Sequence, residues 1–174
     1  MKVITEIGLN HGGSSIIAKK IVKKLVNTDT DGITFQIKKK IFYSNLKKAH
    51  FLKDENFFNS FREPSFYKKI FLRQKFKSLN LSKNFYKNII NFWKKNNKQI
   101  GFAVGDITML KFLSSCGADF FKILSEDLNN KKLIKEAIKS NAKIIFLSTG
   151  FHSVEKIENL LKGVNKNKIV LIHT

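Results

Sequence analysis

The chain has 174 residues, and its 33 lysines and arginines against 13 aspartates and glutamates give a net charge of +20. This length suffices for one domain with a sizeable core, and its single cysteine, Cys116, excludes a disulfide framework within the chain. Residues 1–9 lead directly into a strand that contains Glu6, and no apolar run is long enough to span a bilayer, so we expect a single cytoplasmic domain over residues 1–174 without a signal peptide or membrane contact.

The positive charge suggests an acidic partner, which could be nucleic acid, an anionic membrane surface or a phosphorylated ligand. Nearly all of the excess is lysine, spread through predicted helices beside asparagine, isoleucine and phenylalanine. This distribution is typical of compositional bias, and the sequence has no RNA-binding motif, zinc-ligand spacing or long basic tail. Nucleic acid is therefore the least favoured partner.

Apolar and amphipathic segments alternate from the start of the chain. Residues 3–9 predict a strand, and Ser14 can cap a helix that runs to about residue 27, with Ile17 among the residues of its apolar face. A second strand is predicted at 32–37. Residues 38–80 are irregular, rich in phenylalanine and lysine, and contain the only proline, so we interpret them as a long insertion with one or two short helices.

The alternation becomes tighter after the insertion. The pattern predicts a helix at 82–97, a strand at 100–104, a helix at 107–115, a strand at 119–123, a helix at 130–140, a strand at 143–147, a helix at 153–162 and a strand at 168–172. Strands that are each followed by a helix favour right-handed βαβ units in a parallel sheet. The continuous apolar strands 144–147 and 169–172 are typical of a sheet buried on both faces.

About six βα units can be counted, whereas a complete (β/α)₈ barrel has eight. The fold class is therefore α/β, either an open doubly wound sheet or a partial TIM-type barrel. In both folds, ligands bind at the carboxyl ends of the strands. Polar residues stand at each of these ends, namely Glu6, Asn10 and His11; Gln36 with Lys38, Lys39 and Lys40; Asp106; Lys122, Ser125, Glu126 and Asp127; Ser148, Thr149 and Gly150; and His173.

Lys122 is the only charged residue in the apolar stretch Phe120-Phe121-Lys122-Ile123. Inside a barrel it must meet an anion or lower its pKa, and it could hold a phosphate as a point charge or form a Schiff base. If its strand lies at a sheet edge, the side chain could instead point to solvent. Residues 148–150 lie between a strand and a helix, where hydroxyls and free backbone N–H groups can cradle a phosphate or simply form a capping turn.

Glu6 lies in the first predicted strand, and His173 directly follows the last one. Glu6 lies inside the first apolar strand, where burial without a partner would be costly, although a solvated glutamate before a polar turn is the alternative. His173 ends the last apolar strand, and a lone histidine there is usually structural unless carboxylates or another histidine converge on it.

Together these motifs resemble the N-acetylneuraminate (sialic acid) synthase family, which includes related nonulosonic acid synthases. The resemblance covers nearly the whole chain and rests on Glu6-Ile7-Gly8-Leu9-Asn10-His11-Gly12-Gly13, Phe35-Gln36, Glu63-Pro64-Ser65-Phe66-Tyr67, Asp119-Phe120-Phe121-Lys122-Ile123 with Ser125 and Asp127, Ile145-Phe146-Leu147-Ser148-Thr149-Gly150, and Leu171-Ile172-His173-Thr174. It implies an aldolase-type TIM barrel that condenses phosphoenolpyruvate with an N-acetylated amino-sugar aldehyde and releases phosphate.

The resemblance also implies roles for individual residues. Glu6 would be the catalytic acid/base, and His173 would be a ligand of a divalent metal, typically manganese, that polarises the aldehyde. Lys122 and Ser148 would hold phosphoenolpyruvate. The full set of candidate substrate-binding residues is Asn10, His11, Gln36, Lys122, Ser125, Asp127, Ser148 and Thr149.

The chain departs from the family pattern at several positions. Thr34 replaces the usual lysine before Phe-Gln, residues 102–106 replace the STPF motif, and Glu126 replaces a glycine, which places a negative charge beside the expected phosphate site. Family members also have two further strands, a second metal histidine and a C-terminal antifreeze-like domain that contributes to the sugar site of the partner in a dimer. Since the sequence carries six strands, we expect activity to need a complementing C-terminal chain or a second copy.

Three hypotheses follow. The chain is a synthase, active by itself or when complemented. Alternatively, it is a catalytically inactive remnant or binding module of the same family. The third hypothesis, a basic nucleic-acid-associated protein, depends on the charge alone.

Overall fold

A computed structural model describes residues 2–39 and 79–173. Its strands are β1 (Ile4–Gly8), β2 (Gly32–Ile37), β3 (Gln99–Val104), β4 (Phe120–Ile123), β5 (Ile144–Ser148) and β6 (Ile169–Ile172). Its helices, numbered within the described residues, are α1 (Ser15–Leu25), α2 (Lys83–Lys95), α3 (Ile107–Ser115), α4 (Lys131–Lys139) and α5 (Val154–Leu161), with a 3₁₀ turn at Ser125–Asp127. Each predicted strand and helix in these ranges is confirmed, with shifts of a few residues at the ends.

The order of the strands decides between the two fold hypotheses. The sheet runs β1-β2-β3-β4-β5-β6, and every neighbouring pair is parallel. A doubly wound sheet reverses its strand order at a switch point, whereas a (β/α) barrel adds each strand beside the previous one. The fold is therefore a partial TIM-type barrel, and the doubly wound alternative is wrong.

The helices begin where the sequence predicts because a polar side chain caps each of them. Ser14, Ser82 and Ser153 accept hydrogen bonds from backbone N–H groups three residues later, at 3.2–3.3 Å. Asp106 and Asn130 do the same for α3 and α4. Such caps satisfy N–H groups that the first helical turn leaves unpaired. Asp106, one of the polar residues at the predicted strand ends, therefore has a structural role.

The core lies between the sheet and the helices. Phe35 of β2 packs edge-on against Tyr86 of α2 and stacks on Phe102 of β3, with ring centroids 6.0 and 6.1 Å apart. Trp93 of α2 is fully buried in the same layer. In α1 the buried residues are Ala18 and Val22, whereas Ile17, predicted to face inward, is 39% exposed. That prediction is wrong because α1 turns a narrower face to the sheet.

The opposite face of the sheet is less covered than the sequence predicts. Ile145 and Leu147 are fully buried, but Ile144 and Phe146 on the same strand are only half-buried. In β6, Val170 lies on this face beside Phe146 and is 43% exposed, and Leu171, which pairs with Leu147 on the helix side, is 50% exposed. The expectation of a sheet buried on both faces is therefore wrong for β5 and β6 within the described residues, because β6 lies at the end of the sheet and has a strand on one side only.

Two expectations are limited by the range that the structure describes. The predicted insertion at 38–80 lies outside it except for residues 38, 39, 79 and 80, as does the Glu63–Tyr67 part of the resemblance. Within residues 2–39 and 79–173, no helix has both the length and the apolarity to cross a membrane.

Gly101 of β3 leaves space for an aromatic ring on the neighbouring strand. A Cβ atom at this position would lie 2.1 Å from two carbon atoms of the Phe120 ring. That ring cannot retreat freely because it packs edge-on against Phe146, with centroids 5.6 Å apart. We therefore expect Gly101→Ala to lower the free energy of unfolding by roughly 1–3 kcal/mol, the usual cost of overpacking a core. Urea titration followed by tryptophan fluorescence measures this change.

A double variant tests the cause of the loss. Phe120→Leu removes part of the obstructing ring, so Gly101→Ala should cost less in that background than in the native chain. An equal cost in both backgrounds would contradict the steric explanation.

Candidate active site at the carboxyl ends of the strands

The inner face of the curved sheet is the one turned away from the helices. Successive strand residues point to opposite faces, and Ile33, Phe35 and Ile37 belong to the core beneath the helices. Thr34 and Gln36 therefore lie on the inner face. The same alternation places Glu6, Lys122 and Ser148 there, since their strand neighbours Ile7, Phe121, Ile123 and Leu147 are core residues.

Lys122 and Glu6 meet on this face. The Lys122 Nζ lies 3.4 Å from the Glu6 Oε2, and the two side chains are 20% and 48% exposed. β4 lies between β3 and β5, so the solvent-facing edge lysine is excluded. β1 and β4 are separated by two strands and would lie about 14 Å apart in a flat sheet. Their side chains therefore meet because the sheet curves like a barrel wall.

Two buried hydroxyls on the same face have no hydrogen-bond partner within the described part of the chain. These are the Oγ of Ser148, at 2% residue exposure, and the Oγ1 of Thr34, at 5%. Because a buried polar group without a partner costs free energy, such groups indicate an incomplete site. Ser148 lies two residues past the register partner of Lys122 on the adjacent strand, a Cα separation of about 8 Å.

In the sequence, Thr34 stands out only as the replacement of a lysine found in the family, but the structure places it beside Glu6. Its Cα pairs with that of Glu6 across β1 and β2, so its hydroxyl lies at the level of the candidate acid/base. Gln36 lies two residues further along β2. It pairs with Ala103 of β3, which in turn pairs with Lys122 of β4, so Gln36 and Lys122 lie at the same height in the sheet. The alternation of β2 around Phe35 was the sequence signal that could have placed Thr34 on this face.

The loop after β1 holds the two other candidates of the first motif. Asn10 is exposed, and its backbone N–H donates to the Ile7 carbonyl at 3.0 Å. His11 is fully buried beside Phe35, and its Nδ1 accepts a hydrogen bond from the Gly13 N–H at 3.1 Å. Its Nε2 has no hydrogen-bond partner in the described residues. Burial lowers the pKa of His11, opposed by a smaller effect of the Gly8 backbone.

The two lysines that follow β2 meet the acidic pair that follows β4. Lys38 pairs with Glu126, and Lys39 pairs with Asp127. Gly105 at the end of β3 lies beside the second pair, since a Cβ there would be 2.7 Å from the Asp127 Oδ2. These lysines, which lie near the position where the family lysine is missing, are thus engaged by carboxylates.

The remaining candidates line the β4 and β5 ends of the same rim. The Ser125 carbonyl lies 3.0 Å from the Nε2 of His152, which joins the 3₁₀ turn to the loop after β5. Thr149 donates from both its N–H and its Oγ1 to the Ile172 carbonyl of β6, at 3.0 and 3.2 Å. The Thr149 hydroxyl therefore already has a structural partner, unlike that of Ser148.

The described residues do not form a complete metal centre. His173 is exposed at the end of β6, and residues 2–39 and 79–173 contain no group of three or more histidine, cysteine, aspartate or glutamate side chains placed to hold an ion. A single imidazole does not fix a divalent cation. The role of His173 as a metal ligand stays a prediction.

The buried His11 gives a pH dependence that can be measured. Because its pKa lies below the ordinary 6.5 in the folded protein, the unfolded chain binds more protons at pH values between the two pKa values. The free energy of unfolding should therefore keep its full value above pH 6.5 and fall as the pH drops below it. Urea unfolding across this range measures the slope. His11→Asn should reduce it, and an unchanged slope would show that other groups cause it.

Comparison with known proteins identifies the family of this chain. The NeuB family matches residues 21–174. The chain is 28% identical to N,N'-diacetyllegionaminic acid synthase of Campylobacter jejuni, covering 98% of this chain and 50% of that protein. It is 26% identical to N-acetylneuraminate-9-phosphate synthase of Drosophila melanogaster, covering 95% of this chain and 42% of that protein.

A solved structure agrees with the sequence matches. The N-acetylneuraminic acid (sialic acid) synthetase of Leptospira borgpetersenii, in complex with citrate, superimposes with a TM-score of 0.69 at 25% identity, over 98% of this chain and 53% of that one. This chain thus spans about half the length of the relatives that it matches. The family match over most of the chain shows that this protein belongs to the NeuB family.

Proposed function

We propose that this chain carries the phosphoenolpyruvate-binding half of a sialic acid synthase-type active site. The reaction would join the enolpyruvyl carbons to the aldehyde of an N-acetylated amino sugar, with uptake of water and release of phosphate. The observation that carries the proposal is the Lys122 ammonium on the inner face of the barrel, 3.4 Å from Glu6 and at the rim where barrels bind substrates.

The residues of the inner face suit the two ends of such a substrate. Lys122 offers a positive charge to the phosphate or carboxylate of phosphoenolpyruvate. The Ser148 hydroxyl, buried without a partner, can donate to the same anion. Glu6 lies close enough to Lys122 to reach a reacting centre held there, as general acid/base catalysis requires.

The proposal extends to parts that lie outside the described residues. A divalent metal such as manganese would take His173 as one ligand and draw the others from a further segment or a second copy of the chain. The same applies to the sugar site, for which we propose a homodimer or a complementing C-terminal chain. We propose a cytoplasmic location, where phosphorylated intermediates occur.

A binding module without catalysis is the second candidate, and a specific observation favours it. Lys38, Lys39 and Lys122 each contact a carboxylate, so the rim offers an anion less positive charge than its lysines suggest. Phosphate release from phosphoenolpyruvate on addition of N-acetylmannosamine, with manganese and a complementing C-terminal segment, separates the two candidates. Binding without release would identify the module.

Lys122 should dominate the affinity for phosphoenolpyruvate. We expect Lys122→Met to weaken binding by about tenfold to a hundredfold, since hydrogen bonds to charged groups are worth about 1.5–3 kcal/mol. Lys132→Met is the matched control because Lys132 is exposed on α4 and the substitution removes the same charge. Isothermal titration calorimetry measures both, and equal losses in the two variants would refute a specific role for Lys122.

Ser148 should show opposite effects on binding and on stability. Because its buried hydroxyl has no partner, Ser148→Ala removes an unsatisfied group and should leave the free energy of unfolding unchanged or raise it by up to about 1 kcal/mol. The same variant should bind phosphoenolpyruvate several-fold more weakly. Urea unfolding and calorimetry on one preparation test both. A clear loss of stability would show that the hydroxyl serves the fold instead.

A further inference from the structure

Three lysines of the described part of the rim, Lys38, Lys39 and Lys122, each contact a carboxylate, although the chain has a net charge of +20. The pairs Lys38–Glu126 and Lys39–Asp127 each join residues 88 positions apart in the sequence, across the end of β3. An anionic ligand that approaches this rim therefore meets cations that already hold a negative partner.

Lys38 is a fixed member of this cluster. Asn80 holds its backbone on both sides, since the Lys38 N–H donates to the Asn80 Oδ1 at 3.1 Å and the Asn80 Nδ2 donates to the Lys38 carbonyl at 2.8 Å. The Lys38 side chain is only 11% exposed. It follows β2 directly, two residues past Gln36 of the inner face, and its ammonium contacts Glu126, four residues past Lys122 in the sequence.

The carboxylate on Lys38 is much less confined. The side chain of Glu126 is 50% exposed, so water can solvate it when it leaves Lys38, whereas the little-exposed Lys38 ammonium would need another anion in its place. Asp127 is different, because its side chain is 8% exposed and packs beside Gly105, with no room there for even a methyl group. The two pairs thus divide into a packed one, Lys39–Asp127, and an exchangeable one, Lys38–Glu126.

We infer that Glu126 is an internal competitor for the anion site, and that a phosphate-bearing ligand binds by displacing it from Lys38. The inference deepens the proposed function, since it names Lys38 as a second cation for the ligand of that site. A phosphate carries more charge and more acceptor oxygens than one carboxylate, so the exchange favours the ligand. Glu126 sets the affinity and excludes weakly charged anions, without touching the reacting atoms.

The test compares two variants that each remove one negative charge. Glu126→Gln should bind both phosphoenolpyruvate and inorganic phosphate about two- to fivefold more tightly than the native chain, because it removes the carboxylate that competes with the ligand for Lys38. Glu158→Gln is the control, because Glu158 is exposed on α5, and it should leave both affinities nearly unchanged. Isothermal titration calorimetry at one ionic strength measures the affinities of the native chain and of both variants for the two probes.

A double variant shows whether Lys38 is the cation that is released. With Lys38→Met in place, Glu126→Gln should no longer increase the affinity for either probe. An equal gain from Glu126→Gln and Glu158→Gln, or a gain that persists without Lys38, would overturn the inference.

The outcomes also separate this inference from the proposed function. If the native chain fails to bind phosphoenolpyruvate but Glu126→Gln binds inorganic phosphate through Lys38, the inferred role of Glu126 is supported and the proposed function is wrong. If the native chain binds phosphoenolpyruvate and Glu126→Gln leaves both affinities unchanged, the proposed function is supported and the inferred role of Glu126 is wrong. If neither form binds either probe, both are wrong.

Discussion

The contact between Lys122 and Glu6 joins strands that are not neighbours, and the candidate site depends on it. An ammonium on the inner face of a parallel sheet needs an anion within reach. The sheet meets this need by curving, because β1 and β4 approach each other across the concave face only in a barrel-like arrangement. The strand order thus has three consequences. The sheet curves, Lys122 and Glu6 balance each other's charge, and the candidate acid/base lies beside the ammonium.

The inner face shows a conflict between stability and ligand binding. Ser148 and Thr34 bury hydroxyls that the described residues leave without partners, although an alanine or valine would fill the space more favourably. Gly101 and Phe120 on the same face are packed closely, so the lack of partners there does not reflect a loose fold. Unsatisfied polar groups within a well-packed wall are typical of a surface shaped for something that binds to it.

Charge at the rim acts differently from charge elsewhere on the chain. Within residues 2–39 and 79–173, most lysines lie on helices, away from this rim. Lys38, Lys39 and Lys122, which the structure describes at the rim, each contact a carboxylate, so the large net charge says little about the potential that a ligand meets beside them. Within this neutral cluster, burial decides which contacts are permanent: Asp127 is enclosed, whereas Glu126 is half exposed to water.

The sequence by itself determined the alternation of six strands with helices and the capping residues Ser14, Ser82 and Ser153, because these depend on periodicity and local hydrogen bonding. It also determined the motifs of the family, since these are runs of residues that stand next to one another in the chain. The tertiary structure alone decided that the strands follow one another in order and that the inner face is incompletely covered at β6. It also decided the pairings of Lys38 and Lys122, whose partners lie 88 and 116 residues away. Local sequence patterns carry no record of such separations, since the partners meet only after the sheet has curved.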